Sequence, residues 1–134
     1  MKHLLALALL ALACTVRADE FTGHYELTKP TKAPFSLDVQ QAGKTATVSF
    51  SAGRVDGSGA APDGDGYGKL NARGALELTW TDSFDNTGTA TLRRDGKGFR
   101  LSMKTEKVTD PRAIVFYGEI VLKRTSTTPQ TNTR

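Results

Sequence analysis

Apolar residues recur at every second position along almost the whole chain, in short runs bounded by glycine, asparagine and aspartate. No stretch keeps a helical period, so the alternation commits the chain to half-buried strands. Phe21, Gly23, Tyr25 and Leu27 share one face of a first strand, and Phe35, Leu37 and Val39 one face of a second. Ala46, Val48 and Phe50 mark a third, Tyr67 to Leu70 a short fourth weakened by Gly66 and Gly68, and Leu76, Leu78 and Trp80 a fifth. Ala90 and Leu92 mark a sixth, and Phe99, Leu101 and Met103 a seventh. Ile114, Phe116, Ile120 and Leu122 make an eighth, with a bulge or close backbone approach expected at Gly118.

Eight strands joined in sequence predict an all-β fold, an antiparallel up-and-down meander closed into a small barrel, which leaves no exposed edge. A two-sheet β-sandwich is the alternative. Phe35, Phe50, Trp80, Phe99 and Phe116 supply enough bulk to fill such a barrel. Gly66, Leu70 and Gly74 recur as Gly88, Leu92 and Gly96, as similar strands in any meander do.

The chain opens differently. Met1-Lys2-His3 is a short basic start before the apolar run Leu4 to Ala13, which is too short to span a bilayer and matches the core of a secretory signal. Cleavage after Ala18 is expected. The alternative is a lipobox-like Ala11-Leu12-Ala13-Cys14, with Cys14 carrying lipid in the outer membrane. The expected organisation is a signal peptide at 1–18, a barrel at 19–124 and a disordered tail at 125–134, poor in apolar residues.

Removing residues 1–18 leaves 116 residues with 16 basic and 14 acidic side chains and no cysteine. Much of the basicity therefore belongs to the export segment. No Lys/Arg cluster or zinc-spaced Cys/His set remains, so a nucleic-acid partner is not expected, and a membrane only through Cys14. The expected location is the periplasm or the exterior.

Enzyme chemistry has little to stand on. His24 is the one histidine after residue 18, and its place between Gly23 and Tyr25 predicts an outward, solvated ring. No Gly-x-Ser-x-Gly, Ser-x-x-Lys or His-Glu-x-x-His motif is present. A carboxylate pair drawn from Asp63, Asp82 or Asp85 has no spacing in the sequence that fixes a working separation. No catalytic residue and no cofactor is expected.

Loop lengths indicate where function lies. The second, fourth and sixth connections are tight: Gln41–Lys44, Asn71–Gly74 and Asp95–Gly98. The first, third, fifth and seventh, about 28–34, 52–66, 81–88 and 105–112, are longer and in a meander gather at one end. The third is dense in glycine and aspartate. It suits insertion into a partner, a solvated turn run, or calcium held by Asp56, Asp63 and Asp65, although the full calcium-loop spacing is missing. In the fifth, Phe84 is either an anchor for a partner or a plug over the barrel mouth. In the seventh, Arg112 follows a turn at Asp110-Pro111 and pairs with a loop carboxylate or with a partner's. The expected partner-binding set is Arg54, Ser58, Gly59, Asp63, Asp65, Tyr67, Phe84 and Arg112.

Ser58-Gly59-Ala60, followed by Tyr67-Gly68-Lys69, resembles the Ser-Gly-x-x-Tyr loop of the small exported bacterial β-barrel inhibitors of lysozyme. Ala61 to Gly66 lengthens the spacing, and the disulfide typical of that family has no counterpart. The wider pattern is similar to periplasmic immunity proteins. Both resemblances imply a non-enzymatic protein whose loops plug the acid-lined cleft of a cell-wall hydrolase, with a basic residue such as Arg54 or Arg112 at the contact. The rival expectations are a lipocalin- or avidin-like carrier with a ligand in the barrel mouth, and a structural envelope lipoprotein.

Overall fold

The computed structural model describes residues 20–130. The expected signal peptide, its cleavage site and Cys14 lie outside the described residues. Eight antiparallel strands form a closed barrel in meander order: β1 (Gly23–Leu27), β2 (Phe35–Ala42), β3 (Thr45–Ala52), β4 (Asp63–Leu70), β5 (Leu76–Asp82), β6 (Thr87–Asp95), β7 (Gly98–Lys107) and β8 (Glu119–Ser126). Pairing of β1 with β8, from Leu27 opposite Leu122 to His24 opposite Ser126, closes the sheet. Full closure pairs the strand edges that a sandwich leaves open.

The alternation does what its period requires. Leu37, Val39, Val48, Phe50, Leu76, Leu78, Trp80, Leu92, Phe99, Leu101, Ile120 and Leu122 all turn inward and are buried. Two aromatic groups fill the interior. Near the tight-turn end, Tyr25 and Phe21 meet Phe99 edge-on, with centroids 4.9 and 6.1 Å apart, and the Tyr25 hydroxyl donates to the Phe21 carbonyl at 2.6 Å. Near the long-loop end, Phe35 stacks on Phe50, and Phe50, Trp80 and Tyr117 meet one another edge-on at 5.0 to 6.0 Å.

One strand contributes little bulk to this core beyond Leu70 at its end. β4 faces inward with Gly64, Gly66 and Gly68, set in register between Phe50, Val48 and Ala46 on β3 and Asp82, Trp80 and Leu78 on β5. A Cβ on Gly64 would run into the Phe50 ring, and one on Gly66 would meet the Thr79 carbonyl and Val48. Gly88 on β6 makes the same room for the Trp80 indole. The glycines are the complement of the large rings beside them.

Three local expectations are corrected. The fourth strand is not confined to Tyr67–Leu70; it begins at Asp63, because the glycine lane hides its inward face from an apolar pattern. Ile114 and Phe116 do not belong to the eighth strand. Asp110 caps a short helix, α1 (Pro111–Ile114), its carboxylate accepting from the Arg112 amide, and proline at the first helical position fits that turn. Phe116 and Tyr117 then fold against the core, and β8 starts at Glu119. At the other boundary β8 continues through Ser126, past Arg124, and the Gln130 amide donates to Asp38 Oδ1.

The glycine lane yields a prediction. Gly64→Ala places a methyl group against the Phe50 ring and is expected to destabilise the barrel by about 1–3 kcal/mol. The exposed neighbour Thr47→Ala is expected to stay within about 0.5 kcal/mol of the parent. Urea unfolding of both variants checks the contrast.

Candidate functional site

The connections divide by end as a meander demands. Gly43-Lys44 and Gly96-Lys97 close tight hairpins at one end, with residues 71–75 beside them. Residues 28–34, 53–62, 83–86 and 108–118 gather at the other. The fifth connection is shorter than expected, because β5 and β6 pair through Thr81 opposite Thr87. The third is shorter because β4 starts early.

These four connections are tied to one another. The Val55 amide donates to the Lys32 carbonyl at 2.9 Å, joining the third to the first. The Arg54 guanidinium lies 5.7 Å from the Phe116 ring centroid, joining the third to the seventh. Ser83 N donates to the Asp63 carbonyl at 2.7 Å, and Asp63 N donates to Ser83 Oγ at 3.1 Å. Asn86 Oδ1 accepts from the Thr109 and Asp110 amides at 2.7 and 2.9 Å, joining the fifth to the seventh. Asp85 holds a left-handed backbone at φ 63°, tolerated by aspartate, and its carbonyl accepts from the Thr109 hydroxyl.

Beneath this ring of loops lies Asp82, buried at the last position of β5. Its Oδ1 accepts from the Phe84 and Asn86 amides, both at 2.9 Å. Its Oδ2 accepts from Asn86 Nδ2 at 3.0 Å and from the Tyr117 hydroxyl at 2.7 Å. Burial, followed by the Asp82 hydrogen bond and charge, pushes the Tyr117 hydroxyl far above the usual tyrosine range. The carboxylate is engaged on both oxygens, and among the described residues no buried side-chain nitrogen or oxygen lacks a partner. Asp82 is thus a structural tie.

The expected binding residues fall into two groups. Arg54, Ser58, Gly59, Phe84 and Arg112 sit on the loop end. Ser58 turns back on its own loop, its amide and hydroxyl donating to Asp56 Oδ1 at 2.9 and 2.7 Å, and these bonds hold the Asp56 carboxyl below its usual range. Gly59 has φ +72°, a backbone that calls for glycine, and lies against the movable end of Arg54. Phe84 is half-buried, with the Arg112 guanidinium 6.0 Å from its ring centroid. Arg112 also pairs with Asp110 at 2.7 Å, which lowers the Asp110 carboxyl.

Asp63, Asp65 and Tyr67 are on β4 instead, opposite Ser51, Ser49 and Thr47 of β3. Tyr67 is therefore on the barrel wall and not on a loop, and the Ser58-Gly59 and Tyr67 pieces of the resemblance stand on different surfaces. Asp56, Asp63 and Asp65 are likewise divided between loop and strand. Among the described residues no group of three or more His, Cys, Asp or Glu side chains is placed to hold a metal ion.

His24 overturns an expectation. Its ring is on the outer face yet buried, with Nδ1 2.8 Å from Asp38 Oδ1 and Nε2 3.7 Å from Glu26 Oε1. The chain beyond β8 returns alongside, Gln130 N bonding the same Asp38 oxygen, so outward does not mean solvated here.

Sequence reasoning missed several loop-end features. Val55 and Val115 are 70% and 62% exposed, and Val108 and Val121 are exposed as well. Val115 and Val121 flank an apolar cleft of about 510 Å³ between the first connection and β8, lined also by Leu27, Phe35, Phe116 and Ile120, with Lys29 at its edge. A valine among the polar residues of 53–62 was the available signal; the cleft joins residues from both ends of the chain and has no local signature. No protein-family model, curated protein or solved structure matches this chain.

Two predictions follow from the buried tie and the buried hydroxyls. Tyr117→Phe removes one hydrogen bond to a charged acceptor and is expected to lower stability by about 1.5–3 kcal/mol, whereas Asp82→Ala strands four donors and costs more. Thermal or urea unfolding of the pair gives the order. Tyr25, its hydroxyl pushed up to about 12 by burial from the ordinary 10.0, stays protonated in the fold at pH values where the unfolded chain ionises. Its contribution is complete below pH 10.0 and is lost as pH rises towards about 12. Urea midpoints are expected to fall across that interval, and less steeply in Tyr25→Phe.

Proposed function

We propose that this chain is a non-enzymatic, exported protein-binding barrel that blocks a peptidoglycan-cleaving enzyme, as an inhibitor or immunity protein does. The supporting observation is the cross-tied loop end. Four connections from different parts of the chain are held by hydrogen bonds and by the Arg54–Phe116 contact, so little ordering entropy remains to be lost on binding. On that platform exposed Val55 and Val115 stand among Lys29, Lys32, Arg54 and Arg112, beside a cleft lined by apolar side chains. A partner surface with carboxylates around an apolar centre complements it, and the acid-lined cleft of a glycosidic hydrolase has that character. The contact set is Arg54, Val55, Ser58, Gly59, Phe84, Arg112 and Val115; Asp65 and Tyr67 stand apart on the wall. Export rests on residues 1–18, with lipidation at Cys14 as the alternative anchor.

The aromatic interior weighs against a carrier with its ligand at the barrel axis. The lateral cleft keeps a carrier reading alive, since about 510 Å³ is a ligand-sized volume. The two readings separate in one experiment. Muramidases are titrated with the protein while clearing of a peptidoglycan suspension is followed. Inhibition is expected to saturate at one protein per enzyme, and Arg54→Glu and Val115→Asp are each expected to weaken it about tenfold or more. Failure to inhibit any muramidase, together with saturable uptake of an apolar fluorophore lost in Val115→Asp, would favour the carrier.

A further inference from the structure

The outer wall carries a second concave surface, which reaches the loop end only at Asp82 and Ser83. A trough of about 1190 Å³ runs over β3, β4 and β5, with Asp38, Gln40 and the returning Pro129-Gln130 segment at one side and Glu106 at the other. It has the same origin as the aromatic core. A strand with glycine at three successive inward positions can lie closer to the barrel axis than its neighbours, and its outward residues then sit low between theirs.

Those outward residues form two rows. Tyr67 lies between Thr47 and Thr79, and Asp65 between Ser49 and Thr81. Tyr67 is 70% exposed, an unusual position for an aromatic ring in mid-strand with polar neighbours on both sides. Among the described residues that line it, none is Lys or Arg. A polyanion therefore meets carboxylates with no lysine or arginine beside them in the lining, and a wholly apolar partner leaves the threonine and serine hydroxyls around the ring unsatisfied.

The surface offers one exposed ring, short hydroxyls and an acceptor carboxylate. We propose that it binds an uncharged polysaccharide strand, with one pyranose ring stacked on Tyr67. A pyranose has an apolar C–H face and a polar rim. The face packs on the aromatic ring, and the rim exchanges hydrogen bonds with the threonine and serine hydroxyls and donates to Asp65. Threonine and serine lose little rotamer freedom when they engage, which suits a shallow, wet contact. Across β3 to β5 the wall spans about 10 Å, so about two sugar units lie on it at once. This surface is independent of the loop end and of the function proposed for it.

The full chain is titrated calorimetrically with hexamers of β-linked glucose and of β-linked N-acetylglucosamine, with poly-lysine and heparin in parallel. At least one hexamer is expected to bind saturably, and the better one identifies the sugar. Tyr67→Ala is expected to lose about tenfold or more in affinity, while Tyr67→Phe keeps the ring and stays within about twofold. Thr79→Arg, which lays a long side chain across the trough, is expected to abolish binding, and Val115→Asp to leave it unchanged. Absence of saturation by either hexamer overturns the proposal, as does an affinity unaffected by Tyr67→Ala. Binding of poly-lysine alone also overturns it and assigns the trough to a basic peptide.

Discussion

The glycine lane of β4 is the constraint on which the rest of the barrel depends. An eight-stranded barrel has a narrow interior, and here Phe50 and Trp80 each need more than one position's share of it. Gly64, Gly66 and Gly68, joined by Gly88 on β6, surrender that space, and the rings close over it. The same lane hollows the outer wall and brings the start of β4 beneath the loops, where Asp63 meets Ser83. Interior packing, wall shape and loop support are thus consequences of one strand with glycine at three successive inward positions.

Above the rings the barrel changes from apolar to polar within one register position. Trp80 is inward and packed; Asp82, two residues on, is inward and bonded to four donors. A buried carboxylate is tolerated only where every lone pair has work, and here the work is to fix Asn86 and Tyr117, which in turn fix the fifth and seventh connections. The loop end inherits the rigidity of the core through this link. Its exposed valines and cations are then held in place by the fold, as a binding surface of low ordering cost requires.

Much of this was legible in the sequence because a period of two is hard to mistake. The strand count, the meander, the closed barrel and the clustering of longer connections all follow from alternation and turn residues. The failures have a common cause. A strand whose inward face is glycine shows no apolar alternation, so Asp63 to Gly66 reads as loop, and Tyr67 is carried with it onto the wrong surface. Phe116 and Tyr117 read as strand because their apolar character is real, but they serve the mouth of the barrel after a helical turn set by Asp110 and Pro111. His24 alternates outward correctly, and its burial comes from chain beyond β8, which no local pattern reports. The cross-ties between loops, such as Asn86 to Asp110 or Val55 to Lys32, join residues far apart in the chain and have no signature in it.

On the function proposed here, the filled interior supports and the loop end binds a protein. Amide-shift mapping of the isotope-labelled chain, with a muramidase added to stoichiometry, tests that division most directly. The account predicts that the largest changes fall in residues 53–62 and 108–118, with β6 and β7 unmoved. Changes confined to the wall of β3 to β5, or a spectrum that no muramidase alters, would contradict it.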